Sequence, residues 1–293
     1  MAQTREIKKR IVAVGTIQRI TKTMQMIATA KFTAASQRAR ATRPYTRTIR
    51  RLVGELAAAA GEIEHPLIDG PPAPVRRELL LAISSDRGLC GAYNANVLRA
   101  AIAHIRELRG AGIALDLETS GKKAVAFFRF QRVDIARRHL IGDKPEYPAV
   151  EALASRYIDA FAAGRYDAVR VAYMRFESNA RQVPEVLQLL PIKPQEAAEP
   201  AGGDHHPHAN YEFSPSGKAL LADLLPMTVK AQLFQAFNDA VVSEQLMRMV
   251  AMKAATENAK DLGRILHRRF NRARQTQITT ELSEIIGGTT ALE

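Results

Sequence analysis

REIKKRIVAVGTIQRITKTMQMIATAKFTAASQ, residues 5–37, sets Ile7, Ile11, Val14, Ile17, Ile20, Met24 and Ile27 three or four residues apart, and Lys31 and Ala35 continue the spacing. That is the period of a helix burying one narrow stripe, a seam of coiled-coil type. The far end repeats it with Phe234, Phe237, Val241, Ala251, Ala255, Leu262, Ile265, Ile278, Leu282 and Ile285, and Gly287 and Gly288 follow as a predicted helix stop. All 14 prolines lie from Pro44 to Pro226. Because an interior proline costs about 3 kcal/mol, the two ends are free to form very long helices. A helix from about 227 to 286 runs roughly 90 Å at about 1.5 Å per residue, longer than the core of a compact domain of this size. Each stripe needs a partner, and the simplest is the other. Ala251, Ala254, Ala255 and Ala259 allow close approach. The expectation is an antiparallel coiled coil projecting from a domain built by the middle of the chain.

Between these ends the pattern alternates. Residues 78–85 (ELLLAISS) read as a buried strand, 94–110 as an amphipathic helix, 113–121 as a strand and 122–130 as a short helix or turn leading into RVDIARR. Residues 150–164 then read as a helix, and 168–178 and 184–192 as extended segments. Strands separated by helices imply an open, Rossmann-like α/β sheet. The stretch from Lys193 to Pro215, rich in Pro, Gly, Ala and His, reads as a mobile loop with little core content. The predicted organisation is a helix over 1–60, a central α/β domain over 61–215 and a second long helix over 216–293.

Charge is concentrated at one end. Residues 1–51 hold 13 Lys and Arg against Glu6 alone, while the rest of the 293-residue chain has 29 basic and 29 acidic residues. Net charge bears on association rather than fold, so this helix is expected to face an acidic protein. A basic helix also suits nucleic acid or an anionic membrane. Phe32 and Tyr45 are the only aromatics among residues 1–51, and the narrow apolar seam already has a partner, so base stacking and membrane anchoring find little support. A basic coiled-coil nucleic-acid binder would show salt-dependent DNA binding as an isolated chain.

Catalytic chemistry is equally hard to place. No Walker sequence, HExxH motif or Ser/His/Asp arrangement occurs. DRGLCG (86–91) lacks the Gly-Lys-Ser/Thr ending of a phosphate loop and the GxGxxG spacing, and reads as a tight strand-to-helix turn with glycines at positive φ. His205, His206 and His208 have no Cys or carboxylate in register and read as solvated loop histidines. Cys90, the single cysteine, excludes an intramolecular disulfide and reads as a small buried hydrophobe. A freestanding α/β enzyme with helical extensions would need a catalytic constellation that the chain does not display. No catalytic, cofactor or metal residue is assigned.

Three blocks resemble the gamma subunits of F-type ATP synthases. REIKKRIVAVGTIQRITKTMQMIATAKFTAASQRARATRPY resembles that family's opening helix, and SSDRGLCGAYN its first strand-to-helix turn. SEQLMRMVAMKAATENAKDL with FNRARQTQITTELSEIIGG resembles its closing helix. Gly15 departs from the polar residue usual in the family, Phe270 from a common tyrosine and Ser214 from a common acidic residue, and no two-cysteine insertion of the chloroplast type is present. The resemblance implies a non-catalytic rotor shaft without cofactors. Its implied partners are the alpha and beta subunits of the catalytic head, the epsilon subunit and a membrane ring of c subunits. Met24, Arg248, Arg274, Gln275, Thr279 and Glu281 are the implied coupling contacts, and Phe213 and Ser214 the implied contact with the rotor ring. The start MAQTREIKKR has no signal-peptide core and no stretch suits membrane insertion, so the expected location is peripheral, on the cytoplasmic side of a bacterial plasma membrane.

Overall fold

A computed structural model describes residues 2–59, 65–70, 74–192 and 217–290. The predicted loop 193–215, with its histidines and with Phe213 and Ser214, lies outside the described residues. Two compact units emerge, one of residues 31–247 and one of residues 1–30 with 248–293.

The larger unit is built on a five-stranded sheet. In chain order come helix α1 (Ala2–Ala59), α2 (Pro66–Asp69), β1 (Arg77–Ile83), α3 (Tyr93–Gly110), β2 (Ala114–Ser120) and α4 (Lys122–Phe130). Then follow β3 (Arg137–His139), α5 (Tyr147–Ala162), β4 (Ala168–Phe176), β5 (Gln182–Leu190) and α6 (Gly217–Thr290). The strand order is β3-β2-β1-β4-β5, with β5 alone antiparallel to its neighbour. β1 is a nearly continuous apolar run because both faces are covered. On one face Leu80, Leu117 and Ala172 pack with Leu98, Ile105 and Phe128 of α3 and α4. On the other, Leu79, Leu81 and Val171 pack with Tyr157 of α5, with Ile49 and Val53 of α1 and with Leu225, Leu233 and Phe237 of α6.

β3 was absent from the sequence reading. Three residues, two of them exposed arginines, at the sheet edge carry no alternation to detect. The long helices match the predicted spans 1–60 and 216–293 closely and run through their prolines, α1 through Pro44 and α6, which starts at Gly217, through Pro226. Around Pro226, Leu221, Leu225, Val229 and Leu233 are fully buried, at about 1.5–3 kcal/mol for each large apolar side chain, which outweighs the proline penalty of about 3 kcal/mol. Gly287 and Gly288 do not stop α6, which reaches Thr290. Two glycines cost only about 1 kcal/mol each, and the helix carries through them.

Candidate functional site

In the smaller unit the first part of α1 and the last part of α6 lie antiparallel. Thr4 Oγ1 donates to Gln277 Oε1 (3.1 Å) and Thr256 Oγ1 to Thr21 Oγ1 (2.9 Å), while Gly263 faces the Val14 side chain. The seam on α1 is Thr4, Ile7, Ile11, Val14, Gln18, Thr21, Gln25 and Ala28, with strictly alternating steps of three and four. On α6 it is Met252, Thr256, Ala259, Gly263, Leu266, Phe270, Ala273 and Gln277.

Ile7, Ile11 and Val14 lie in the seam as expected, but the rest of the expected stripe is corrected. Ile17, Ile20 and Ile27 are 51%, 54% and 53% exposed, whereas Thr21 and Ala28 are buried. The steps Val14–Ile17–Ile20 are two threes in succession, and each falls 60° short of a full turn at about 100° per residue, so that stripe swings off the partner helix. Lys31, which continued the same stripe, is exposed as well. On α6, Leu262, Ile265, Ile278, Leu282 and Ile285 are exposed, and so is Ala254. The predicted positions Ala251, Ala255, Leu262 and Ile265 stand one residue before Met252, Thr256, Gly263 and Leu266, about 100° round the helix. Ala259 does sit in the seam, and Gly263 faces Val14 there.

The outer surface therefore carries bulky apolar side chains among cations. Ile17, Ile20, Met26 and Ile27 share it with Arg19 and Lys22 on α1; Leu262, Ile265 and Ile278 share it with Arg264, Arg268 and Arg274 on α6. The unit holds 14 Lys and Arg against six Asp and Glu. Met24 is half-buried at its margin and Arg248 half-buried, while Arg274, Gln275, Thr279 and Glu281 are exposed. Thr279 Oγ1 donates to the Gln275 carbonyl (3.0 Å), and Gln277 Nε2 donates to Glu281 Oε1 (2.8 Å). Glu281 also lines a polar groove with Thr4, Arg10, Arg269, Arg272 and Gln277. The six sequence-derived residues thus lie on one helix pair, without forming a compact cluster such as a catalytic site requires.

In open α/β sheets ligands bind beyond the carboxyl ends of the strands where the order reverses, here between β1 and β4. That position is filled. Cys90, Tyr93, Val97 and Met174 are buried together there, with Met247 of α6 against them. The DRGLCG turn closes on itself: Ser85 Oγ donates to the Arg87 carbonyl (2.6 Å), Asn94 Oδ1 accepts from the Ser85 amide (3.0 Å), and Asn94 Nδ2 donates to Cys90 Sγ (3.1 Å). Positive φ falls on Gly91 as expected, but the other such residue is Leu89 rather than Gly88. Among the described residues, no group of His, Cys, Asp and Glu could hold a metal ion.

Two buried polar groups escaped the sequence reading. Glu118 on β2 meets His139 Nε2 (2.6 Å), Arg156 Nη2 (2.6 Å) and the Tyr157 hydroxyl (2.7 Å). Burial pushes its carboxyl up, but the hydrogen bonds from His139 and Tyr157 and the Arg156 charge prevail and hold it below the usual carboxylate range. Asp239 on α6 pairs with Arg43 on α1 (3.2 Å); burial keeps its carboxyl above that range despite Arg43. The signal available for Asp239 was a lone acid inside an apolar stretch, AFNDAVV, whereas Glu118 shares LDLETS with Asp116 and alternates with leucines.

Comparison with known proteins agrees with this architecture over the whole chain. The ATP synthase family model matches residues 3–292. The ATP synthase gamma chain of Rhodopirellula baltica is 39% identical and that of Leptospira biflexa 38%, each with both chains covered completely. Among solved structures, a chain of the Euglena gracilis mitochondrial ATP synthase rotor aligns with a TM-score of 0.65 at 19% identity, covering 94% of this chain and 99% of that one. A second Euglena gracilis assembly, of OSCP, F1 and c-ring, contains a chain that aligns with a TM-score of 0.67 at 21% identity, covering 99% and 95%. With full-length relatives of this identity and a family model spanning nearly every residue, the chain belongs to the ATP synthase gamma-chain family.

Proposed function

We propose that this chain is the central rotor shaft of an F-type ATP synthase, coupling ion flow through a membrane rotor to ATP synthesis or hydrolysis on other subunits. The observation that carries the reading is the set of bulky apolar side chains left on the outer face of the helix pair. Ile17, Ile20 and Ile27 face outward among cations while Thr21 and Ala28 fill the seam. A surface of that kind is made for a partner that is apolar and acidic. The shaft turns within the head of alpha and beta subunits, beside the epsilon subunit and on the ring of c subunits. The chain is a non-catalytic subunit without a cofactor, and its charge serves protein contacts rather than nucleic acid. Among the described residues no helix is long and apolar enough to cross a membrane, and the site of action is the cytoplasmic face of a bacterial plasma membrane.

In this reading residues 1–60 and 216–293 supply the shaft and residues 61–215 the body. An asymmetric shaft touches each catalytic subunit differently at any angle, and switching a site from mostly open to mostly closed needs about 5.5 kcal/mol of differential contact energy. Met24, Arg248, Arg274, Gln275, Thr279 and Glu281 make the coupling contacts by steric and hydrogen-bonding fit, and Phe213 and Ser214 reach the rotor ring. Met24→Lys tests this in the reconstituted complex. A lysine at the edge of the apolar face forms ion pairs that favour particular rotor angles, so the complex assembles but pumps fewer ions per ATP hydrolysed. Normal pumping per ATP in this variant would remove Met24 from the coupling surface.

A further inference from the structure

Within the larger unit, one polar layer joins three elements whose packing is otherwise mostly apolar, apart from Ser243 Oγ of α6, which donates to the Met174 carbonyl of β4 (3.4 Å). Arg43 Nη2 donates to Asp239 Oδ1 (3.2 Å) and to the backbone carbonyl of Phe176 (2.5 Å), the last residue of β4. The guanidinium lies over the Phe176 ring, 5.5 Å from its centroid, and Phe32 of α1 meets the same ring edge-on. Gln235 Nε2 donates to Asp239 Oδ1 (2.8 Å), and Thr42 Oγ1 donates to Gln235 Oε1 (2.9 Å). Asp239 is buried and Arg43 mostly so. One turn of α1, one turn of α6 and the end of the inner strand β4 therefore share a single hydrogen-bonded set.

We propose that Arg43 and Asp239 form a clamp that sets the rotation and axial register of α1 and α6 on the end of β4. Apolar packing is non-directional and tolerates sliding by a turn or rotation about a helix axis. A planar guanidinium bound at once to a carboxylate, a strand-end carbonyl and an aromatic face tolerates neither. A buried ion pair is a weak source of net stability, and setting register is its best-attested use. In the shaft reading, on which this functional consequence rests, the clamp makes the two helices turn with the sheet as one body. Arg43 and Asp239 are positioning residues that touch no nucleotide.

The test separates register from stability. Asp239→Leu strands the Arg43 charge and lowers the melting temperature, whereas Arg43→Met with Asp239→Leu replaces the pair by apolar groups and restores it to within about 3 °C of the parent. Spin labels at Arg40→Cys and Asn179→Cys, in a Cys90→Ala background, report the distance between α1 and the strand end in the full chain. A single narrow distance distribution is expected in the parent and a broadened one in the double variant, although it is nearly as stable. Arg43→Lys keeps the charge but loses the planar group and its ring contact, and broadens the distribution to a lesser degree. In the assembled enzyme the double variant reduces ions pumped per ATP about threefold. An unchanged distribution in both the double variant and Arg43→Lys overturns the clamp. A broadened distribution with full pumping leaves the clamp standing and overturns the reading of these helices as the shaft.

Discussion

The sheet-bearing unit and the helix pair differ in how much of their large apolar surface they bury. In the first, large side chains such as Leu79, Leu80, Phe128, Tyr157 and Phe237 are wholly enclosed. In the second, the seam mixes the small residues Thr21, Ala28, Ala259 and Gly263 with Ile7, Ile11, Val14, Met252 and Leu266, while further isoleucines and leucines stand in the open. Packing contributes about 25 cal/mol per Å² of apolar surface buried, so the first unit holds most of its stability within itself. The helix pair leaves much of its own unrealised until something covers it. A chain can thus separate the residues that make it fold from those that make it act, even where both are aliphatic.

Gly121 provides the most severe way to test the self-sufficiency of the sheet unit. Its φ is +94°, and a Cβ there would stand 2.1 Å from the Ser84 carbonyl oxygen at the end of β1. Backbone cannot yield as a flexible side chain can, so Gly121→Ala should destabilise the isolated chain by about 4 kcal/mol or abolish folding, in the exceptional range for one substitution. Chemical denaturation followed by circular dichroism measures it. A loss under about 1 kcal/mol would show that the β2–α4 turn is free to relax.

A matched pair of truncations compares the two regions directly. Leu80→Ala removes a fully buried side chain from the centre of the sheet and should cost the isolated chain about 2–5 kcal/mol. Ile20→Ala removes one that is 54% exposed and should cost under about 0.5 kcal/mol, yet lower coupled activity in the complex. Equal losses of stability would mean that Ile20 has a partner within the chain.

The predictability of the two regions differed for the same reason. Strands such as ELLLAISS and the amphipathic helix after it were legible because burial there follows hydrophobicity. The existence of the long helices was legible from spacing and from the distribution of Pro and Gly. On α1, which face meets the partner helix was legible only at Ile7, Ile11 and Val14; beyond them α1 carries two interleaved stripes, and the larger residues, Ile17, Ile20 and Ile27, belong to the outer one. Periodicity weights size, whereas close helix approach favours Thr, Ala and Gly. Arg43 and Asp239 lie 196 positions apart, and nothing local in either turn announces the pairing.

Acid should loosen the sheet unit in a way that Glu118 controls. Its carboxyl is held below the ordinary glutamate value of 4.5 by His139, Tyr157 and Arg156, against the opposing effect of burial. A group with a depressed folded-state pKa contributes stability that is complete above its unfolded value and lost as pH falls through the folded one. The chain should therefore lose stability from about pH 4.5 downward. Glu118→Gln should be less stable at neutral pH and show a shallower acid limb in urea midpoints taken across that range. An identical acid limb in the variant would assign the loss to other carboxylates.

The smallest effect on the isolated chain belongs to the end of α6. Thr4 bonds Gln277, after which α6 runs on to Thr290 with Leu282, Ile285 and Ile286 exposed. Deleting residues 282–293 therefore leaves the seam residues from Met252 to Gln277 in place, and helicity should fall only by the deleted turns. The unfolding free energy of the full chain should change by less than about 0.5 kcal/mol, as for surface changes generally. In the complex the same side chains are covered by the head in the proposed reading, and each contributes about 1.5–3 kcal/mol if its bearing is apolar. Coupled activity should drop while the subunit remains folded and retained. Far-ultraviolet circular dichroism of the truncated chain and ATP-driven pumping by its complex measure the two arms. Broad loss of helicity would show that this end completes the helix pair rather than extending beyond its last seam bond. Full pumping would show that the outer apolar face acts through the Ile17–Ile27 stripe of α1 without the end of α6.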